Sequence, residues 1–506
     1  MTRKIAFVTT LLFWASQVLA QIGFATMGDS VLVRINSNGS LGVNLSNLSP
    51  SSSLANQTNN HFIKQAGLYI VARDVSGQFH SAIQYMQGID SFDFWPGPVD
   101  TLTGQTGNIE DWDNVWSISK EEVDYHKNNW TKDGYKPIIS IANWPANGSN
   151  GYAQYLAPFM DYNSDGVYNP ELGDYPAIRG EKSAYCIFND LAEEHAASLG
   201  VELGLEVQLM VYQLANSKTI YLEYYLINRS ILDFDNTWVG FFIDGQCGNP
   251  NDNFAGTFQT YPQSVFVYNG DELDEGYFEE NLPFVSATFL NENLTRSIAF
   301  DNTTNINGAP VSMAEFIETG QGNWKNGQPL QQGETGIVTT KKADYIFNQS
   351  TSSSNPWVEE VPINTLGKRT IVGITEHTNF TAKSFIKLDI ALDFGFYKSE
   401  DRRIETIAAV CDQSLNNYRN VTSAKKVASE NTFSVYPNPI TSSQFTLDSR
   451  HTYDLEIIDF QGITTYSENN IKKGKKVYNI HLDAGIYVLK LTTEKGVQTI
   501  KLCVSY

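Results

Sequence analysis

The run TIYLEYYLIN, residues 219–228, decides the fold class. In a strand, Ile220, Leu222, Tyr224 and Leu226 fall on one face, and Tyr221, Glu223, Tyr225 and Ile227 on the other. β-Branched and aromatic side chains suit a pleated backbone. Both faces are largely apolar, so the pattern predicts a central strand between two layers. Outward from it, segments 30–35, 67–72, 207–212, 238–243, 265–268, 285–290 and 385–392 alternate or stay apolar between turn signals. The expected fold is mainly β: a large β-sandwich-like body with few short helices, followed by a small Ig-like β-sandwich. Ser119 and Glu122 form a capping-box pair ahead of a short polar helix. Ile404, Ile407, Ala408, Cys411 and Leu415 recur at helical spacing. Segments 36–60 and 348–356 are rich in Asn and Ser and read as surface loops.

Composition narrows the partners. The 506 residues carry 56 acids against 35 Lys and Arg, a formal net charge of -21. That balance argues against nucleic acid, whose phosphates need clustered cations. It also argues against adhesion to anionic lipid by charge. Residues 1–20 read as a signal peptide: Arg3 and Lys4, an apolar run from Ile5 to Trp14, then Val18 and Ala20 before a cut that leaves Gln21 first. The run is shorter than the ~20 residues a membrane span needs. No later stretch is long and apolar enough, so no transmembrane segment is expected in the mature chain. Export would allow one bridge among Cys186, Cys247, Cys411 and Cys503, with the pairing left open. Cys411, on the apolar face of a helix, reads as a buried free thiol.

The stretch VTSAKKVASENT, 421–432, is polar and structurally weak, and reads as a linker between a body (21–420) and a tail (433–506). The tail has seven acids and eight bases, a net of +1, whereas residues 21–432 carry -24. It opens with Tyr436-Pro437-Asn438-Pro439, whose prolines cannot donate to a sheet ladder. A strand to Asp459 follows, with a turn at Gly462. A turn at Gly485 leads into a strand that reads as buried on both faces. Gly496 then turns into the last strand, which bears Lys501. Six or seven short strands at regular intervals fit a small sandwich.

This ordered set resembles the type A C-terminal sorting domain of the type IX secretion system. The resemblance covers the whole tail. It implies the type IX machinery as partner, a Bacteroidota source, and a secreted or outer-membrane-surface location reached through the periplasm. It also implies that the tail is removed and the cargo released or attached to surface lipopolysaccharide. The body is similar to a group of large secreted proteins of no assigned activity that carry this tail. The text that carries the likeness includes DFWPGPVDT, SIANWPANG, APFMDYNSDGVYNPELGDYPAIRG, GLEVQLMVYQL, YYLINRS and VFVYNGDELDE, between 93 and 275.

The sharpest chemical motif in the body is DYNSDGVYNPELGD, 161–174. Asp161, Asn163 and Asp165 alternate oxygen ligands, Gly166 permits a tight turn, and the Val167 carbonyl and Asn169 side chain follow at calcium-loop spacing. Position twelve is Leu172, so Glu171 or Asp174 would have to complete the shell. Calcium is the expected cofactor. A second polar cluster has Asp244 at a strand end and Asn251, Asp252 and Asn253 beyond it, where turn composition competes with metal binding. Trp95 and Trp144 sit in Trp-Pro turns. They could stack on sugars, but such turns usually pack against a core edge. Glu193, Glu194 and His195 beside Asp190 suggest catalysis, though Asp-x-x-Glu also starts helices. The expectation is a calcium-stabilised, non-enzymatic binding or adhesion protein whose partner is an extracellular glycan, protein or surface. The rival is a secreted polysaccharide-degrading hydrolase with two carboxylates across a cleft.

Overall fold

The computed structural model describes residues 23–149, 151–163, 165–260, 263–301, 303–333, 335–337, 340–349, 357–359, 369–398, 403–422, 433–438, 440, 443–459, 464–482, 485–493 and 496–504. The signal-peptide segment, residues 350–356 of the second expected loop, most of the linker, Pro439 and Gly462 lie outside the described residues.

The strand Ile220–Asn228 pairs antiparallel with Leu205–Gln213 on one side and Phe385–Tyr397 on the other. These lie inside a nine-stranded sheet that runs 116–119, 182–189, 205–213, 220–228, 385–397, 282–289, 264–269, 253–258, with 95–96 beside 182–189. Against it packs a five-stranded antiparallel sheet, 296–300, 370–380, 234–245, 63–74, 79–83. Ile220, Leu222, Tyr224 and Leu226 share one buried core with Leu68, Ile70, Val239, Phe241 and Ile243 of the facing sheet. Each such side chain contributes about 1.5–3 kcal/mol by leaving water, so this inter-sheet layer holds the body together. On the other face, Tyr221 stacks on Tyr212 at 5.0 Å and joins a second core with Tyr185, Trp144 and Ile141. The strand is therefore central and covered on both sides over most of its length, as its pattern predicts, with Tyr225 half-buried.

The helices also follow their sequence signals. Lys120–Asn129 is capped reciprocally: the Glu122 N–H donates to Ser119 Oγ at 3.2 Å, and the Ser119 N–H to Glu122 Oε2 at 2.7 Å. Arg403–Thr422 lays Ile407 and Cys411 on Phe266, Phe284 and Tyr397 of the large sheet. It reaches two residues into the segment expected as linker. No helix among the described residues is long and apolar enough to cross a membrane.

Two expectations need correction. Segment 36–60 is not a surface loop. Strands Val31–Asn36, Ser52–Leu54 and Gln57–His61 join one sheet, Val43–Asn44 pairs with Ser49–Pro50, and Asn36, Ser37, Asn38 and Ser40 are buried. The Asn36 amide donates to the carbonyls of Ser40 (3.1 Å) and Val43 (3.0 Å). Such local side-chain bonds replace water, so a polar composition did not require exposure. In the tail, Gly485–Thr493 is buried on one face only: Tyr487, Leu489 and Leu491 point into the core, while Val488 is exposed. Among the described residues the tail has seven strands in two sheets, 433–436, 444–449, 474–479 and 464–471, 453–458, 485–493, 496–504, around its own core.

Candidate functional site

Loop 161–174 is closed at its base by the antiparallel pair Phe159–Met160 and Tyr175–Pro176. Gly166 takes φ +78°, which lets the chain fold back on itself. The Asp165 and Gly166 N–H groups then donate to Asp161, at 3.2 and 2.8 Å. Asp174 is buried at the loop's end and accepts from the N–H of Tyr162 and of Asn169, both at 2.7 Å. One carboxylate oxygen from each of Asp161, Asp165 and Asp174 lies within 4.8 Å of the others. Asp174, not Glu171, joins this group. The other expected ligands are engaged nearby. The Asn163 amide donates to Asp165 Oδ2 at 2.8 Å, and the Val167 N–H donates to Asp165 Oδ1 at 2.8 Å. Asn169 Oδ1 instead caps the short helix Pro170–Leu172 through the Glu171 N–H at 3.1 Å. The donor set is hard oxygen and suits calcium, which takes 6–8 such ligands. Tyr155, Met160, Tyr162, Val167 and Leu172 are exposed around the loop.

The second polar cluster assembles differently from its sequence order. Asp244 is buried within its strand and accepts from the Gln65 amide at 3.3 Å. Asp252 meets Asp271 and Asp274 from the next turn. Burial first, and then those two carboxylates, push its carboxyl up to about 7. Asn249 ties the turn together, its side-chain amide donating to Asp252 at 2.7 Å and its N–H to Asp274 at 2.9 Å.

His195 is a buried brace. Its Nδ1 lies 2.7 Å from the Ser81 carbonyl and its Nε2 2.8 Å from the Asp190 carbonyl. Two carbonyl acceptors fit a ring that donates from both nitrogens, the imidazolium form. Burial opposes that charge, but Asp190 and Asp93 outweigh it and raise the His195 pKa. Asp190 accepts from the N–H of Leu203 and Leu205, both at 2.6 Å, and Asp93 from Ile83, Ala197 and Ser198. The side chains of His195, Asp190 and Asp93 are all wholly buried, which suits cross-bracing and not contact with a substrate. Trp95 and Trp144 are buried too. All four cysteines are free, with Cys186, Cys247 and Cys411 buried.

Sequence reasoning missed the outer face of the large sheet. There Glu223 lies directly opposite Asp389, with Arg179 2.6 Å from Glu223 and Lys387 2.6 Å from Asp389. The one visible signal was a lone acid in the apolar run 219–228. Its partners come from segments far away in the chain.

In the tail, Asn438 clasps the last strand: its amide donates to the Lys501 carbonyl at 2.7 Å, and the Cys503 N–H donates to its Oδ1 at 2.9 Å. The Ile440 N–H adds a bond to the Cys503 carbonyl at 2.7 Å. Tyr436 is exposed, Gly485 pairs with Val504, and Gly496 with Thr493. Asp459 ends the described part of its segment. The structure thus joins Asn438 to Lys501, two of the expected sorting residues 63 positions apart.

Residues 434–505 match the model of the secretion system C-terminal sorting domain. The tail is therefore a sorting domain of the type IX system, and the chain a secreted or cell-surface cargo of that machinery. No curated protein matches the chain in sequence. Among solved structures, a polysaccharide lyase is similar at 6% identity with a TM-score of 0.18, over 59% of this chain and 34% of its own. The chain spans about a third of that lyase, and a likeness this loose carries no argument about either molecule.

Proposed function

We propose that the body is a calcium-stabilised, non-enzymatic binding protein that meets an extracellular glycan once the sorting domain has delivered it. The observation that carries the metal is the convergence of Asp161, Asp165 and Asp174 within 4.8 Å in a loop closed at its base. Three like charges at that spacing repel, and a divalent cation relieves the repulsion. The exposed aromatic and apolar rim around the loop gives such a protein contact surface. Calcium bound only to the folded form at a hundred times its Kd adds about 2.7 kcal/mol. Melting should therefore move up in calcium relative to chelator, and Asp161→Ala with Asp165→Ala should erase the shift. Equal melting in calcium and chelator sinks the metal reading.

A second reading, a polysaccharide hydrolase, draws on the paired carboxylates Glu223 and Asp389. Each is committed to a cation at 2.6 Å and nearly all buried, which favours holding a ligand over turning one over. Release of reducing ends from a polysaccharide would reverse that preference.

A further inference from the structure

We propose that the outer face of the nine-stranded sheet binds a neutral, hydroxyl-rich glycan, with Tyr225 and Phe385 as ring platform and Arg179, Lys387 and Glu223 as its polar contacts. The proposal rests on the glycan-binding reading above and gives it a site. It begins with register. Glu223 sits opposite Asp389, Tyr225 opposite Lys387 and Ile227 opposite Phe385, while Gln208 flanks Tyr225 and Glu206 flanks Ile227 on the next strand. Paired residues share a face, so these positions form one contiguous patch. Their chain neighbours Leu222, Tyr224, Leu226, Leu388 and Ile390 point the other way, into the inter-sheet core.

The patch is not built as a core would be. Like charges directly opposite one another on adjacent strands destabilise a sheet, yet Glu223 and Asp389 are placed so. Each acid of the patch holds one cation: Glu206 with Arg229 at 2.7 Å, Glu223 with Arg179 at 2.6 Å, and Asp389 with Lys387 at 2.6 Å. The acids are buried, at 0%, 6% and 0% side-chain exposure, whereas Arg179 and Lys387 keep 36% and 26%. Buried carboxylates thus fix two cationic side chains that remain partly exposed, with Arg179 Nη1 itself buried. The network is also incomplete. Asp389 Oδ1 is buried and accepts no hydrogen bond, and the Arg179–Glu223 contact leaves Glu223 Oε1 and Arg179 Nη1 without one of proper geometry. Buried ion pairs commonly contribute less than apolar packing of the same volume, so stability alone does not account for three of them side by side.

The remaining chemistry selects the ligand. The half-buried Tyr225 ring lies 5.7 Å from Phe385 and under the Lys387 ammonium at 5.5 Å. A pyranose offers an apolar face to such rings, and its hydroxyls both donate to carboxylates and accept from guanidinium and ammonium groups. Every cation of the patch already has its anion, so no excess positive charge awaits a polyanion. Residues 21–432 carry -24, which repels one. Burial first, with Asp389 adding, pushes the Glu223 carboxyl up against the opposing pull of Lys387, Arg179 and a Tyr212 hydrogen bond. The patch opens into a cleft of about 1210 Å³ along Tyr152, Phe159 and Tyr175, which Ile486, Val488 and Lys501 of the tail also line.

The test is calorimetric titration of the purified chain with cellohexaose, laminarihexaose and xylohexaose, and with hexagalacturonate as the anionic probe. Hydrogen exchange of the wild type with and without each sugar locates the contact independently of any variant. At least one neutral hexasaccharide should bind and slow exchange in 206–210, 223–227 and 385–389. Tyr225→Ala and Arg179→Gln should each weaken it by about tenfold or more. Tighter binding of hexagalacturonate than of every neutral sugar overturns the proposal. So does protection confined to another surface such as 155–172, which leaves the glycan-binding reading standing. So does a folded Tyr225→Ala that binds like wild type. Binding of none of the four probes overturns both the site and the glycan reading, while calcium stabilisation stands or falls by its own melting test.

Discussion

Body and tail are both built from packed antiparallel sheets, yet they bury their strands in opposite ways. In the body, Leu205–Gln213 and Ile220–Asn228 are covered along nearly their whole length on both faces. In the tail, Tyr453–Ile458 alternates strictly between buried and half-exposed positions. A two-sided layer has nowhere to put a polar group except against another one. The body consequently contains buried titratable groups in fixed partnerships, at His195, Asp393 and Glu223, while the ion pairs described in the tail lie at its surface. Where charge is buried, energy can be held for binding. Where it is exposed, a fold can serve as a label.

That contrast can be broken or sharpened by substitution. The largest effect is expected at His195. His195→Ala leaves Asp93 and Asp190 buried without their cation, a loss of about 3–5 kcal/mol. Calorimetry should show the body's transition lowered and the tail's unmoved. A shared fall in both would mean that the two units do not unfold independently. The pH dependence follows from the raised His195 pKa. The stabilisation is whole below the unfolded value of about 6.5 and is lost as pH rises through the folded value.

Asp393 comes next. It is buried beneath helix Arg403–Thr422, accepting from Thr219 and Ser414 hydroxyls, and burial pushes its carboxyl up to about 7. An acid with a raised pKa favours folding while protonated, and that advantage fades as pH climbs from the unfolded value through about 7. Asp393→Asn should therefore stabilise the body at pH 8 by roughly 2–4 kcal/mol and change little at pH 4. Equal melting of the two proteins across that range would remove the buried-charge account of this side chain. The smallest effect belongs to the tail. Asn438→Ala removes two hydrogen bonds to the last strand and should cost about 1–2 kcal/mol, read as faster hydrogen exchange at 501–504. Unchanged exchange there would show that the clasp is dispensable.

The same contrast explains what could be read from residues alone. Every body strand expected from the pattern is present, because apolar runs between turns specify strands whichever face they use. The tail's alternation and its Pro, Gly and Asp punctuation pointed to six or seven strands, and the resemblance carried by the same residues to a sorting domain. Segment 36–60 was misread because its Asn and Ser side chains bond their own backbone indoors. The calcium candidate was legible because Asp161, Asp165 and Asp174 lie within one loop. The sheet-face patch was not, because Arg179, Glu223 and Asp389 come together only through strand pairing across more than 200 positions. Asp244 and Asp252 were grouped by sequence proximity, whereas Asp252 faces Asp271 and Asp274 in the fold.

Secretion tests the division most directly. The chain should be expressed in a host with a type IX system, with and without residues 433–506, and followed in periplasm and culture fluid. The full chain should reach the surface or the medium, and the shortened one should accumulate folded inside the outer membrane. Equal amounts of both outside the cell would contradict the account.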